Sequence, residues 1–193
     1  IPSYPTHSRF WEVIQKHRVN QFYTAPTAIR SLAKEKIEYV RDYRLDSLKV
    51  IGSVGEPINE EAWHWYNDHV GNKRCPLVDT WWQTETGSIM IAPLPGVTTL
   101  KPGCATNPLF GIEPLVCLED RTVCKPGEDG RLFIKKPWPS QARTIWGDHQ
   151  RYMDTYWNVI PGHYFTGDGG RMDADGDIWI LGRVDDVISV AGH

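Results

Sequence analysis

The sequence is 193 residues long, with 40% hydrophobic and 23% charged side chains and a formal net charge of -3. These values describe a globular chain: too apolar for wholesale disorder, and without the basic field or Lys/Arg run that nucleic acid would require. Its apolar runs are only a few residues long, which excludes a membrane-spanning helix of roughly 20 residues.

The first half alternates helical and extended patterns. Phe10, Val13, Ile14 and His17 share one helical face, and residues 19–23 read as a short strand. Pro26 suits the first turn of a second helix, which directs Ile29, Leu32, Ala33, Ile37 and Val40 inward. Residues 48–54 form an apolar strand, followed by the GEP turn. Asn59 is placed to cap a third helix, with Glu60 and Glu61 in its first turn and Ala62, Trp65, Tyr66, His69 and Val70 along it. Residues 77–80 supply the next strand. Strands alternating with helices predict an α/β fold with parallel strands.

Past Pro93 the pattern changes. Short strands at residues 111–118, 131–135, 164–166, 177–181 and 186–190 are separated by Pro/Gly-rich turns, with a helix over residues 146–156. This is a β-rich region beside the α/β layer. The four cysteines, Cys75, Cys104, Cys117 and Cys124, show neither a CxxC pair nor nearby histidine ligands, so a reducing, cytoplasmic setting is expected. The chain opens on Ile1-Pro2, shows no signal peptide and stops just after a strand-like run, so we expect an internal segment of something longer.

Three stretches carry candidate chemistry. GSVGEP (residues 52–57) ends a strand where glycine lets backbone approach a ligand, although a plain strand-to-helix turn has the same composition; the P-loop lysine is missing. VDTWWQTETG (residues 78–87) also leaves a strand. Thr80, Gln83 and Thr84 offer neutral donors for phosphate oxygens, and Glu85 offers a carboxylate for magnesium. The tryptophans would wall a small group or simply fill a core. YFTGDGG (residues 164–170) puts Asp168 in a glycine-flanked bend, fit either for a ribose or for an ordinary turn. MDADG is read as a hairpin turn. An EF-hand loop begun at Asp173 would need Gly and Glu where Ile178 and Val184 stand. Arg183 is a fixed cation for a ribose hydroxyl or phosphate. Nine tryptophans and spaced carboxylates would also suit a glycan groove, but nothing pairs two carboxylates.

In this order, GSVGEP, VDTWWQTETG, YFTGDG and GRVDD…GH resemble the core motifs of the adenylate-forming superfamily. TAPTAIR (residues 24–30), GEPIN, the double tryptophan, WPSQARTIWGDH (residues 138–149) and GRVDDVISVAGH resemble, more narrowly, its acetyl-CoA synthetase family. The resemblance implies a large AMP-binding domain over residues 1–184, built of α/β layers with a β-rich subdomain. A hinge would follow at residues 185–193, leading into a small C-terminal domain. It implies ATP-dependent ligation of acetate to coenzyme A through an acetyl-adenylate, with magnesium; ATP, acetate and CoA are the partners. Propionate or another short-chain acid, or a non-catalytic nucleotide-binding relative, are the alternatives.

Carried over by motif, Gly55, Glu56 and Pro57 line the adenine, while Asp79, Thr80, Trp81, Trp82, Gln83 and Thr84 wall the nucleotide. Glu85 holds magnesium, Asp168 takes the ribose hydroxyls with Arg183 beside it, and Val54 and Trp82 shape the acyl pocket. Ala25, Ala191 and Gly192 stand near CoA, and Asp185 is the hinge. Thr80, Glu85 and Asp185 carry the catalytic duties. The sequence departs from the family pattern at Ser3 (asparagine expected), Ser88 (glycine) and Ala191 (serine). The family's phosphate loop, a basic residue past His193 and the C-terminal catalytic lysine do not occur in it, so the piece alone is expected to be inactive.

Overall fold

The first helix, α1 (Arg9–His17), follows from a compact apolar stripe: Trp11 and Ile14 are its buried residues. Trp11, rather than His17, completes the inward face, because a large indole one turn from Ile14 buries more apolar surface; His17 is exposed. Arg18, in the left-handed region at φ 49, ends the helix. The computed structural model describes residues 3–184. These residues divide into two compact units, residues 3–80 with Pro93–Gly103, and Trp81–Ala92 with residues 104–184.

In the first unit, β1 (Gln21–Thr24), β2 (Val50–Ser53) and β3 (Leu77–Asp79) form a parallel sheet in chain order. The α/β expectation for this half is met. The second helix breaks where one continuous helix was expected: α2 (Pro26–Ala33) stops and α3 (Glu38–Arg41) follows, leaving Ile37 only half-buried. Lys34, Glu35 and Lys36 interrupt the apolar stripe there, so nothing draws that turn onto the core. Pro26 does occupy the first turn of α2. After Asn59, α4 (Glu60–Trp65) passes into a π-helical turn, Tyr66–Val70. Its buried residues are Ala62, Trp63, Tyr66 and Val70, whereas His69 is exposed. The Tyr66 hydroxyl lies 3.0 Å from the Phe22 carbonyl and 3.2 Å from that of Gly52, tying this turn to the sheet.

The second unit holds an antiparallel sheet in the order β4 (Pro114–Cys117), β5 (Asp129–Ile134), β6 (Tyr164–Met172) and β7 (Ile178–Arg183). Strand β6 runs through the whole YFTGDGG motif instead of stopping at Thr166. Asp168 is therefore a strand position, but the expected bend survives next to it: Gly167 sits at φ +71, and register shifts at Arg131/Phe133 and Gly169/Gly170 absorb the irregularity. The hairpin read at MDADG joins β6 to β7, with Asp173 Oδ1 accepting from the Asp175 and Asp177 amides at 2.9 and 3.0 Å. The helix expected from Trp146 starts three residues later as α5 (His149–Tyr156). Its N-cap is Asp148, whose side chain accepts from the Arg151 amide. The strand read at residues 186–190 lies outside the described residues. Among the described residues, no helix is long and apolar enough to cross a membrane.

Candidate functional site

Parallel strands deliver their carboxyl ends to one edge, and the register of the first unit sets Thr24 beside Ser53 and Ser53 beside Asp79. Three candidate stretches thus leave the sheet side by side: Ala25 after β1, Val54–Pro57 after β2, and Thr80 after β3. Thr80 is buried. Its amide and hydroxyl both donate to the Ser53 carbonyl, at 3.0 and 2.8 Å, and the Tyr23 hydroxyl lies 2.5 Å from its Oγ1. Asp79, 5% exposed, has its carboxyl pushed up to about 7 by burial, against the smaller pull of the Thr80 amide.

Gly55 sits at φ +97 with open space where a side chain would lie, so backbone conformation alone selects glycine. Val54 is half-buried and Pro57 exposed. The Glu56 carboxylate has a definite structural task. It accepts from the Thr27 amide at 2.8 Å, from the Thr27 hydroxyl, and from Arg30 at 2.9 Å. The turn after β2 thereby satisfies an open N–H in the first turn of α2. Burial pushes this carboxyl up, but the Thr27 hydroxyl, Arg30 and the Thr27 amide together hold it below its ordinary range.

The second unit gathers Trp81, Gln83, Asp168 and Arg183. Asp168 Oδ2 accepts from Trp81 Nε1 at 3.0 Å and from Gln83 Nε2 at 2.8 Å, while Arg183 approaches Oδ1 at 3.5 Å. Gln83 also donates to the Thr166 carbonyl at 2.6 Å and accepts from the Tyr164 hydroxyl at 2.9 Å. Read in sequence as a phosphate donor, Gln83 directs its amide into the protein and fixes Asp168. Burial raises the Asp168 carboxyl, opposed by Trp81, Arg183 and Gln83.

Glu85 stands on a single 3-10 turn, Thr84–Thr86, that is held from many sides. The Glu85 carbonyl accepts from the Ala142 amide at 2.8 Å, and the Thr86 carbonyl accepts from Trp138 Nε1 and Ser140 Oγ, both at 2.8 Å. Gly87 sits at φ +68, and a Cβ there would lie 2.2 Å from the Ser140 carbonyl oxygen. The Tyr156 hydroxyl donates to Glu85 Oε1 at 2.6 Å. Thr84 is exposed, and Trp82 is 41% exposed. Asp185, Ala191 and Gly192 lie outside the described residues.

Sequence reasoning passed over Tyr23, Tyr156, Tyr164, Trp138 and Ser140, because each acts on a motif residue from a distant part of the chain. The TAPTAIR and WPSQA resemblances flagged the neighbourhoods of Tyr23, Trp138 and Ser140. Tyr164 opens the YFTGDGG motif but takes no role of its own from it, and nothing in the sequence marks out Tyr156.

A profile described as AMP-binding enzyme matches residues 1–146. The chain is 58% identical over 193 residues to the acetyl-coenzyme A synthetase 2 of Pseudomonas putida, and 60% identical over 193 residues to that of Pseudomonas aeruginosa. It is also 60% identical over 193 residues to the acetyl-coenzyme A synthetase of Xanthobacter autotrophicus. In each case the match takes in 100% of this chain and 30% of the relative, so the chain spans under a third of the length of the curated relatives it matches.

Proposed function

The chain belongs to the AMP-binding enzyme family, and from that premise we propose that it supplies nucleotide- and acyl-binding residues to an AMP-forming acetate–CoA ligase. In the first half-reaction an acetate oxygen attacks the α-phosphorus of ATP and the bond to pyrophosphate breaks. In the second, the CoA thiol, losing its proton, attacks the acyl carbonyl and AMP departs with the C–O electron pair. The observation that carries this reading is the Asp168 cluster. A buried carboxylate with Oδ2 held by Trp81 and Gln83 keeps Oδ1, beside Arg183, as an acceptor for ribose hydroxyls.

The remaining roles follow the motifs. Gly55, Glu56 and Pro57 form the adenine turn, with Glu56 holding it rigid through Thr27 and Arg30. Asp79, Thr80, Trp81, Trp82, Gln83 and Thr84 serve the nucleotide, Val54 and Trp82 limit the acyl group, and Ala25, Ala191 and Gly192 serve CoA. Asp185 is the hinge between a large domain ending at residue 184 and a small one. Glu85 fits magnesium: it is half-buried, anionic and fixed in place by its turn and by Tyr156. The ion would share the charge on the phosphate oxygens during transfer. The scattered cysteines suit a cytoplasmic enzyme.

The test is an assay of AMP release by an enzyme of the relatives' full length carrying this sequence, with acetate, propionate and butyrate, with and without CoA. Acetate- and CoA-dependent release is expected. Release with propionate far above that with acetate would reassign the substrate, and no release with any acid would remove the ligase reading. Trp82→Gly should shift preference toward longer acids, and an unchanged acetate preference would remove Trp82 from the acyl wall.

A further inference from the structure

One side chain from outside every motif reaches the proposed metal carboxylate. Tyr156, the last residue of α5, donates its hydroxyl to Glu85 Oε1 at 2.6 Å. Its ring is held independently of that bond, stacked on buried Tyr164 with centroids 5.4 Å apart and planes 12° apart. Tyr164 in turn donates to Gln83 at 2.9 Å. Helix α5 is anchored as well, since the Tyr152 hydroxyl donates to the Ala142 carbonyl and the Ala142 amide donates to the Glu85 carbonyl. The backbone and the side chain of Glu85 are therefore fixed from the same distant segment.

We propose that Tyr156 is a positioning residue for Glu85: its phenol selects one carboxylate rotamer and leaves Oε2 to face magnesium on the nucleotide. A phenol suits this task chemically. It donates one hydrogen bond, adds no positive charge to compete with the cation, and carries an aromatic body that stacking can immobilise. An Arg or Lys there would neutralise the carboxylate that the metal needs. Outer-shell donors to carboxylate ligands orient them in this way, and losing one commonly costs ten- to a hundredfold in metal affinity or activity. The inference rests on the reading of Glu85 as the magnesium ligand.

The experiment uses the full-length enzyme with Glu85→Gln, Tyr156→Phe and the double variant. Magnesium-dependent ATP binding is measured by calorimetry and steady-state rate is followed against magnesium concentration. Tyr156→Phe keeps the stacked ring and should raise the magnesium requirement about tenfold while the magnesium-free affinity for AMP stays put and the melting temperature falls only by the loss of one hydrogen bond. In the double variant the tyrosine change should add little to Glu85→Gln, because both act through one carboxylate. If Glu85→Gln leaves the magnesium requirement unchanged, the metal reading itself falls. If Glu85→Gln raises it and Tyr156→Phe does not, or if the two changes add fully, the metal reading stands and the positioning role of Tyr156 is overturned. A measurement on the unmutated enzyme guards against misfolding of the variants. The ring-carbon resonance of Tyr156, in tyrosine labelled with carbon-13, should move on adding magnesium-ATP but not on adding ATP with a chelator. A resonance indifferent to the metal overturns the proposal.

Discussion

In the first unit, candidate residues leave a parallel sheet at one edge and are fixed by backbone register and one helix-capping carboxylate. In the second, an antiparallel sheet supplies Asp168 and Arg183 from adjacent strands, and remote side chains hold the rest. The first arrangement is built from contacts among strand ends and the turns that follow them. The second depends on a chain of side-chain contacts in which one group holds the next, such as Trp81 and Gln83 on Asp168 and Tyr156 on Glu85. A strand-end site therefore tolerates substitution at single side chains better than a site assembled as a network, where each group satisfies another.

The largest effect that would sharpen this contrast is expected at Asp168. Asp168→Ala removes the proposed ribose acceptor and leaves Trp81 Nε1 and Gln83 Nε2 without a shared partner. Two charge-assisted bonds are worth roughly 1.5–3 kcal/mol each, so AMP affinity should fall by about a hundredfold or more, with a lowered melting temperature. Calorimetric titration with AMP beside a thermal melt checks both. An unchanged melt would mean that the network is not cooperative.

Two glycines, one from each unit, make the next test. Gly87→Ala puts a Cβ against the Ser140 carbonyl at positive φ, which should cost about 3 kcal/mol from conformation and overlap together. Gly55→Ala meets open space and should cost only about 1–2 kcal/mol for the backbone alone. Urea unfolding of the two variants measures the difference. Equal losses would break the contrast, because they would show the turn carrying Glu85 to be as free of its surroundings as the turn after β2.

The same contrast explains what was legible in the sequence. The strands and helices of the first unit could be read because apolar periodicity and the Pro26 and Asn59 signals are local, although Asn59 marks only the position of the helix start and its side chain makes no capping bond. Its errors are local too: the α2–α3 break follows Lys34–Glu35–Lys36, and Trp11 replaced His17 on the inward face. The motif residues were found by their order along the chain. What escaped was how they are held. Gly167, Gly169 and Gly170 signal a turn at Asp168, and Gly167 does sit at φ +71 beside a register shift in the pairing with β5, yet the pairing of Asp168 and Gly169 with β7 continues the strand. Tyr156 carries no local pattern at all, Tyr164 only the general one of the YFTGDGG motif, and their stacking reveals a purpose for both.

Asp79 tests whether a strand-end carboxyl is held by more than the sheet. Burial pushes it from the ordinary 3.8 up to about 7, so the folded state binds the extra proton between those values. A raised carboxyl contributes stability below its unfolded value, and that contribution is lost as pH rises through the folded one. Asp79→Asn, which carries no charge to bury, should therefore match the parent protein near pH 4 and exceed it above pH 7, by up to about 4 kcal/mol. Unfolding free energies measured across that range decide it. A flat difference would show that a partner compensates the buried charge.

Glu56 should give the smallest effect, with the opposite sign. Its pKa is lowered from the ordinary 4.5, so its contribution is present above that value and lost as pH falls through the folded one. Its side chain is 37% exposed and its partner Arg30 38%, so solvent screens the pair. The bonds from the Thr27 hydroxyl and Arg30 are the larger share of what Glu56→Gln disturbs, and the helix-capping bond from the Thr27 amide is the smaller. A neutral amide can still accept that bond, only more weakly, so the loss should be about 1 kcal/mol at neutral pH and vanish at acid pH, below the lowered pKa. Thermal melts at the two pH values read this directly. A loss that persists at acid pH would assign the effect to the shape of the side chain, and one that spreads to the binding of AMP would show the turn after β2 to be held as tightly as the Glu85 turn.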